Sequence, residues 1–272
     1  MNKNNCVLTV LILLIMSIGM SGCVDEQADG DAFSATGINR DLLFQTSTID
    51  ALLEGVYDGD ITFEEMKEHG DFGIGTFNGL DGEMIAIDGD VYQIRADGIA
   101  YTVNDSMMTP FAAVTYFDVD EDIVINESMS QQQLEEYLVS LMPSKNIIYA
   151  FRIDGTFDHM KTRSVPKQNK PYPRLVEVAK NQPTFEFNDT EGTVIGFWLP
   201  EYIDGINVPG YHFHFITEDR TAGGHVLEFD LRNANVQIDQ TYDFMLELPR
   251  NDDFSSVDLT DNKQDELKQV EK

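Results

Sequence analysis

Gly210-Tyr211-His212-Phe213-His214-Phe215-Ile216-Thr217 is the stretch on which the reading of this chain turns. From Tyr211 to Phe215 it alternates strictly between aromatic and imidazole side chains, and on a β-strand successive side chains point to opposite faces. His212 and His214 therefore share one face, and Tyr211, Phe213 and Phe215 the other. The chain then turns through Glu218 to Gly224. His225 opens another strand-like run, His225 to Leu231, so a hairpin return brings a third imidazole toward the first two. Three of the five histidines fall between positions 212 and 225. A single strand histidine is most simply a polar filler; three in this spacing predict a metal centre. Three protein ligands leave one coordination position for water or substrate, the pattern of a catalytic rather than a structural site. Zinc is the first expectation, and iron, manganese, copper or nickel suit the same donors. The sequence His-Glu-x-x-His does not occur, which argues against a peptidase.

Around this segment the period is that of strands. Thr184 to Asn188, Thr193 to Pro200 and Val236 to Leu248 are strand-like, and Asn146 to Ile153 and Thr156 to Ser164 read as two strands joined by a tight turn at Asp154-Gly155. From Phe72 the turn signals Asn78-Gly79, Asp81-Gly82, Asp88-Gly89 and Asp97-Gly98 separate short runs such as Met84 to Ile87 and Val91 to Ile94, an antiparallel meander. Thr109 to Val119 and Ile123 to Ile125 add strands. Helices are few. Asp41 to Val56 has apolar positions that fit one buried face. Thr62 to His69 carries a capping box, Thr62 with Glu65, and stops at Gly70; Ser130 to Met142 opens with Ser130 and Gln133 and closes before Pro143. A short helix covers Arg174 to Ala179. The expected fold is α+β: two mixed or antiparallel β-sheet subdomains with a few packed helices, the C-terminal one a half-barrel-like sheet carrying the metal. The proline-containing stretch Pro166 to Pro173 sets a soft boundary between an N-terminal α+β subdomain, 41–165, and a β-rich metal-binding subdomain with a C-terminal tail, 166–272.

Residues 1–22 read as a signal peptide: Lys3 in a polar start, an apolar run from Val7 to Met16, and small residues ahead of Cys23. The run is shorter than the ~20 residues a spanning helix needs. Met20-Ser21-Gly22-Cys23 has the form of a lipobox, so Cys23 is the expected lipidation site and the protein is expected to be extracytoplasmic and anchored to the cell membrane through that lipid, or secreted if the anchor is absent. Residues 23–40 form a polar tether. The two cysteines, Cys6 and Cys23, lie in these segments, so no disulfide is expected in the fold. Formal net charge is −30, and removing a leader whose one charged residue is Lys3 gives −30 − 1 = −31. Nucleic acid and anionic membrane surfaces are therefore poor partners. A small anionic substrate has to be drawn in by a metal ion or a placed arginine.

Gly196-Phe197-Trp198-Leu199-Pro200, Pro209-Gly210 leading into the histidine strand, and Asp219-Arg220-Thr221-Ala222-Gly223-Gly224-His225-Val226 are similar to the acetolactate decarboxylases. So is Gly75-Thr76-Phe77-Asn78-Gly79-Leu80-Asp81-Gly82-Glu83-Met84. With Arg163 and the C-terminal segment, the resemblance extends over nearly all the chain beyond the tether. It implies conversion of 2-acetolactate, a branched 2-hydroxy-3-keto acid, into (R)-acetoin and carbon dioxide with zinc as the only cofactor, in a homodimer joined through sheet edges. It also implies metal ligation by His212, His214 and His225, catalytic roles for Glu83, Arg163 and Glu271, and substrate binding by Thr76 and Arg163. Read without the resemblance, Arg163 is a surface arginine on an exposed strand face, Glu83 an acid flanking a turn, and Glu271 part of a frayed terminus. In the family the tail folds back over the site, and Leu267 and Val270 offer an apolar face to pin it. His69 and His159 are read as structural. Two other readings fit the same features: a non-catalytic extracytoplasmic zinc-binding lipoprotein, and a different metal lyase or hydrolase on the same scaffold.

Overall fold

The structure, a computed structural model, describes residues 39–271. The expected signal peptide, Cys23 and all of the tether before residue 39 lie outside the described residues. In chain order the elements are β1 (Leu42–Thr46), α1 (Ile49–Leu53), β2 (Ile61–Thr62), α2 (Phe63–Lys67), β3 (Phe72–Thr76), β4 (Glu83–Ile87), β5 (Asp90–Ile94), β6 (Ala100–Thr102), β7 (Met108–Thr109), β8 (Ala112–Thr115), β9 (Glu121–Ile125) and β10 (Met129–Ser130). There follow α3 (Gln131–Leu141), β11 (Ile148–Arg163), α4 (Leu175–Ala179), β12 (Thr184–Leu199), β13 (Gly210–Thr217), β14 (Gly223–Thr241), β15 (Asp243–Glu247), α5 (Asp252–Ser256) and α6 (Gln264–Val270). The class is the expected α+β, with more residues in strands than in helices.

Seven strands form one sheet in the order β15-β1-β8-β3-β4-β5-β6, antiparallel except where β1 lies beside β15. In the second sheet β14, β11, β12 and β13 are neighbours in turn, and β13 pairs again with β14 through His214 opposite His225. The four strands thus close on themselves at the histidine end. Membership does not follow chain order. β11 precedes residue 166 yet sits inside the second sheet, while β15, near the C-terminus, is an edge of the first.

The sheets pack face to face. Leu43, Phe72, Ile74, Ile85 and Ile87 of the first meet Ile148, Ala150, Ile195, Phe197 and Ile216 of the second. Behind the first sheet, Phe44, Met84 and Ala86 pack on Phe63 and Met66 of α2. On the other side of the second sheet, Phe151, Phe157, Phe213, Phe215 and Phe229 cluster with Leu134 and Leu138 of α3. Both helices start as their sequences dictate: Thr62 with Glu65, and Ser130 with Gln133, form complete capping boxes.

Five expectations are corrected. Asp154-Gly155 is no hairpin turn; β11 runs straight through it, with Asp154 opposite Thr193 and Gly155 opposite Gly192. A Cβ at Gly155 would lie 2.6 Å from the Asn233 carbonyl oxygen, so glycine here serves close backbone approach rather than reversal. By the same continuity, 184–188 and 193–200 belong to one strand; 236–248, by contrast, is divided between β14 and β15, which lie in different sheets. Asp41 to Val56 is not one helix: Leu42–Thr46 is a strand between β15 and β8, and the helix begins only after Thr48, whose side chain caps it. Leu43 and Phe44 are both apolar because a central strand meets packing on both faces. Pro110 divides the strand expected over Thr109 to Val119, since proline lacks the N–H a ladder needs.

Candidate active site

At one end of the interface, side chains from both sheets are aimed into a shared gap. On β4, Ile85 and Ile87 face the second sheet, and on β3 Phe72 and Ile74 do so. By strand period Glu83 and Thr76 lie on those same faces, opposite one another where the β3–β4 pair ends. On β13, His212 and His214 share the face of Ile216, while Tyr211, Phe213 and Phe215 pack into the aromatic core behind. His225 of β14 stands opposite His214 on one side and Arg163, the last residue of β11, on the other. Backbone ladders therefore deliver all three imidazoles and the guanidinium, and one potential ligand nitrogen from each ring lies within 4.8 Å of the others.

Each ring is oriented. His214 Nδ1 donates to the Met84 carbonyl at 2.8 Å, which leaves its Nε2 buried without a partner. His225 Nδ1 lies 3.1 Å from His212 Nε2, and its Nε2 lies 3.5 Å from Glu271 Oε2. Burial, with the Arg163 charge adding to it, brings His212 down to about 3. Burial also holds His214 and His225 well below the usual imidazole range. Neutral rings present lone pairs, and an orphaned Nε2 facing two further ring nitrogens is a donor set that fits a divalent transition ion, with outer partners fixing ring orientation.

The acids and the arginine are not on the surface. Arg163 is 4% exposed and Glu83 6%, against the exposed positions their neighbours in sequence suggest. Arg163 Nη1 donates to Glu83 Oε1 at 2.9 Å, while Arg163 Nε is buried with no partner. Glu83 Oε2 lies 3.7 Å from His214 Nε2. Burial pushes the Glu83 carboxyl up, Arg163 opposes this and Glu271 adds to it, leaving it at about 7. Thr76 is buried beside Glu83 and donates its hydroxyl to the Gly82 carbonyl at 2.7 Å, so it stiffens the turn and forms wall.

Glu271 is the residue that closes α6, and its Oε2 lies 3.7 Å from His212 Nε2 and 3.5 Å from His225 Nε2. Burial raises its carboxyl while Arg163 pulls it down. The terminus is folded back rather than frayed, with Leu267 and Val270 buried as pins. Two such aliphatic side chains contribute roughly 3–6 kcal/mol. Ordering the backbone of a helix this long costs at least as much, at about 1 kcal/mol or more per residue. The tail therefore does not dock by its apolar face alone.

These residues line a cleft, walled also by Ile49, Leu52, Leu80, Phe111, Val165 and Leu175. Sequence patterns did not point to the apolar wall, because its members come one or two at a time from separate helices and turns with no shared spacing. His69 is outside the cleft, stacked on Phe44 with ring centroids 3.8 Å apart.

Known proteins carry the same architecture. Residues 43–261 match the family described as alpha-acetolactate decarboxylase. The chain is 51% identical to the alpha-acetolactate decarboxylase of Methanosarcina mazei, over 85% of this chain and 81% of that one. It is 49% identical to that of Methylococcus capsulatus, over 90% and 95%. The crystal structure of alpha-acetolactate decarboxylase from Bacillus subtilis strain 168 superposes with a TM-score of 0.83 at 43% identity, covering 85% of this chain and 99% of that one. Likeness of this extent, in sequence and in three dimensions together, settles descent: the chain belongs to the alpha-acetolactate decarboxylase family.

Proposed function

We propose that the protein decarboxylates 2-acetolactate to (R)-acetoin and carbon dioxide with a divalent metal ion, zinc by first expectation, held by His212, His214 and His225. The observation that carries this reading is the meeting, in one buried cleft, of three neutral imidazoles and an arginine–glutamate pair that retains an unclaimed donor. The bound ion would supply positive charge to the substrate's oxygens as carbon dioxide leaves, worth several kcal/mol in the transition state.

The chain's own residues do the rest. Arg163, its Nη1 engaged by Glu83, has Nε free to bind an anionic group of the substrate, and its planar fork suits a carboxylate or the enediolate left behind. Decarboxylation leaves an electron pair on carbon that must take up a proton on one face to give one enantiomer. Glu83, raised to about 7, is able to hold and release that proton near neutral pH, with Arg163 fixing its Oε1. Glu271 stands against His212 and His225 in the same cleft. Ile49, Leu52, Leu80, Phe111 and Val165 exclude water from the reacting carbon. Thr76 closes the wall beside Glu83.

The test is acetoin production from racemic acetolactate by the chain as purified, after chelation, and after zinc is restored. Activity lost and regained supports both reaction and ion. A folded, zinc-loaded protein without turnover would instead favour the zinc-binding lipoprotein. Lipid anchoring at Cys23, an extracytoplasmic location and a homodimer belong to the same proposal. Mass spectrometry of the N-terminal peptide, cell fractionation and sedimentation test them. Among the described residues, no helix is long and apolar enough to cross a membrane.

A further inference from the structure

Three short helices roof the cleft, and one carboxylate joins them. Glu54 closes α1, whose Ile49 and Leu52 line the cleft. Its Oε1 accepts from Lys263 Nζ at 2.8 Å and from Arg174 Nη2 at 2.6 Å. Lys263 is the residue that precedes α6, and Arg174 the one that precedes α4, which supplies Leu175 to the wall. Arg174 Nη2 also donates to Glu266 Oε2 of α6 at 2.7 Å.

The Lys263 side chain is 4% exposed, and a lysine so buried is rare without a dedicated partner. Its place ahead of a helix also sets a positive charge against the positive end of the helix dipole. Neither solvation nor helix formation accounts for it; docking does. From the anchored ammonium the helix runs over Leu267 and Val270 and ends at Glu271, beside His212 and His225.

We propose that Lys263, with Glu54 and Arg174, is a positioning latch for Glu271: it holds α6 over the imidazoles, and its release opens the cleft. The catalytic half of this inference rests on the decarboxylase reading above; the structural half does not.

The experiment compares the metal-loaded full chain with K263M, which removes the charge and keeps an aliphatic stem. Amide exchange within α6 is expected to speed up at least about tenfold while the strands stay protected. Turnover is expected to show a kcat lowered roughly tenfold with unchanged metal content, and K263R to restore both. In an E271Q background K263M is expected to lower kcat no further, because both changes act through one carboxylate. Unchanged exchange in α6, or losses from K263M and E271Q that simply multiply, would overturn the latch. Should K263M fail to fold, E54Q removes the same charge pairing from the other side, and it too must loosen α6 or the proposal falls. Exchange is read without turnover, so a chain inactive on acetolactate would sink the proposed reaction and leave the latch still tested.

Discussion

The floor and the roof of the cleft are built by different physics. The floor is strand: His212, His214, His225, Arg163, Glu83 and Thr76 all occupy ladder positions, and register fixes each against its neighbour. The roof is three helices of five to seven residues, α1, α4 and α6, joined by side-chain ion pairs at Glu54 and Arg174. Strand ladders hold atoms in place with little freedom, as metal ligands need. Short helices on ion pairs open at lower cost, as substrate passage through so enclosed a site needs. A floor change should therefore act on metal or chemistry outright, and a roof change should be graded.

The sharpest break in that contrast comes from His214→Ala, which is expected to abolish both metal retention and turnover. Metal analysis of the purified variant decides it, and full zinc content would remove His214 from the ligand set. Arg163→Ala is expected to keep the metal while kcat falls by on the order of 10²–10³. Because it leaves Glu83 buried and unpaired, it should also cost about 3–5 kcal/mol in stability, measurable by urea unfolding. Wild-type turnover in this variant would make the arginine purely structural.

Deleting the residues after Asp265 should lower kcat about ten- to a hundredfold and leave the metal bound. Equal kinetics would mean that the roof contributes nothing. The most gradual effect concerns pH in the metal-free protein. His212 is held at about 3, below its unfolded value, so between roughly 6.5 and 3 the unfolded chain binds a proton that the folded chain refuses, and stability is lost as pH falls. Glu83 works oppositely: raised to about 7, it favours the folded state as pH falls through 7 toward its unfolded value of 4.5. The difference between wild type and His212→Gln isolates the imidazole, with a slope of about 1.4 kcal/mol per pH unit. A flat difference would mean that the ring is not buried neutral.

The floor was also the legible part. Alternation from Tyr211 to Phe215 already separates ligands from core, because a pleated strand has only two faces, and both capping boxes stand where their spacing put them. Arg163 and Glu83 were legible only through resemblance. Their burial depends on a sheet-to-sheet junction that no local window contains, and each would read as exposed without the other to neutralise it. Asp154-Gly155 misled because the same dipeptide that closes a hairpin also lets two long strands approach closely, and only the partner strands distinguish the two uses. The strand Leu42–Thr46 was hidden for a related reason: its partners β15 and β8 lie far along the chain, and a doubly buried strand shows no alternation.

The hydrogen bond from His214 to the Met84 carbonyl crosses from one sheet to the other. An ion seated on that ring, as proposed, would be coupled through this bond to the first sheet, and its binding energy would add to the cohesion of the fold. An ion that binds only the assembled state raises stability by RT ln(1 + [L]/Kd), about 2.7 kcal/mol at a hundred times Kd. If the proposed ion is bound, the metal content of a preparation would double as a thermometer of its integrity, and damage between the sheets, at Phe72 or Phe197, would register as a looser grip on the ion.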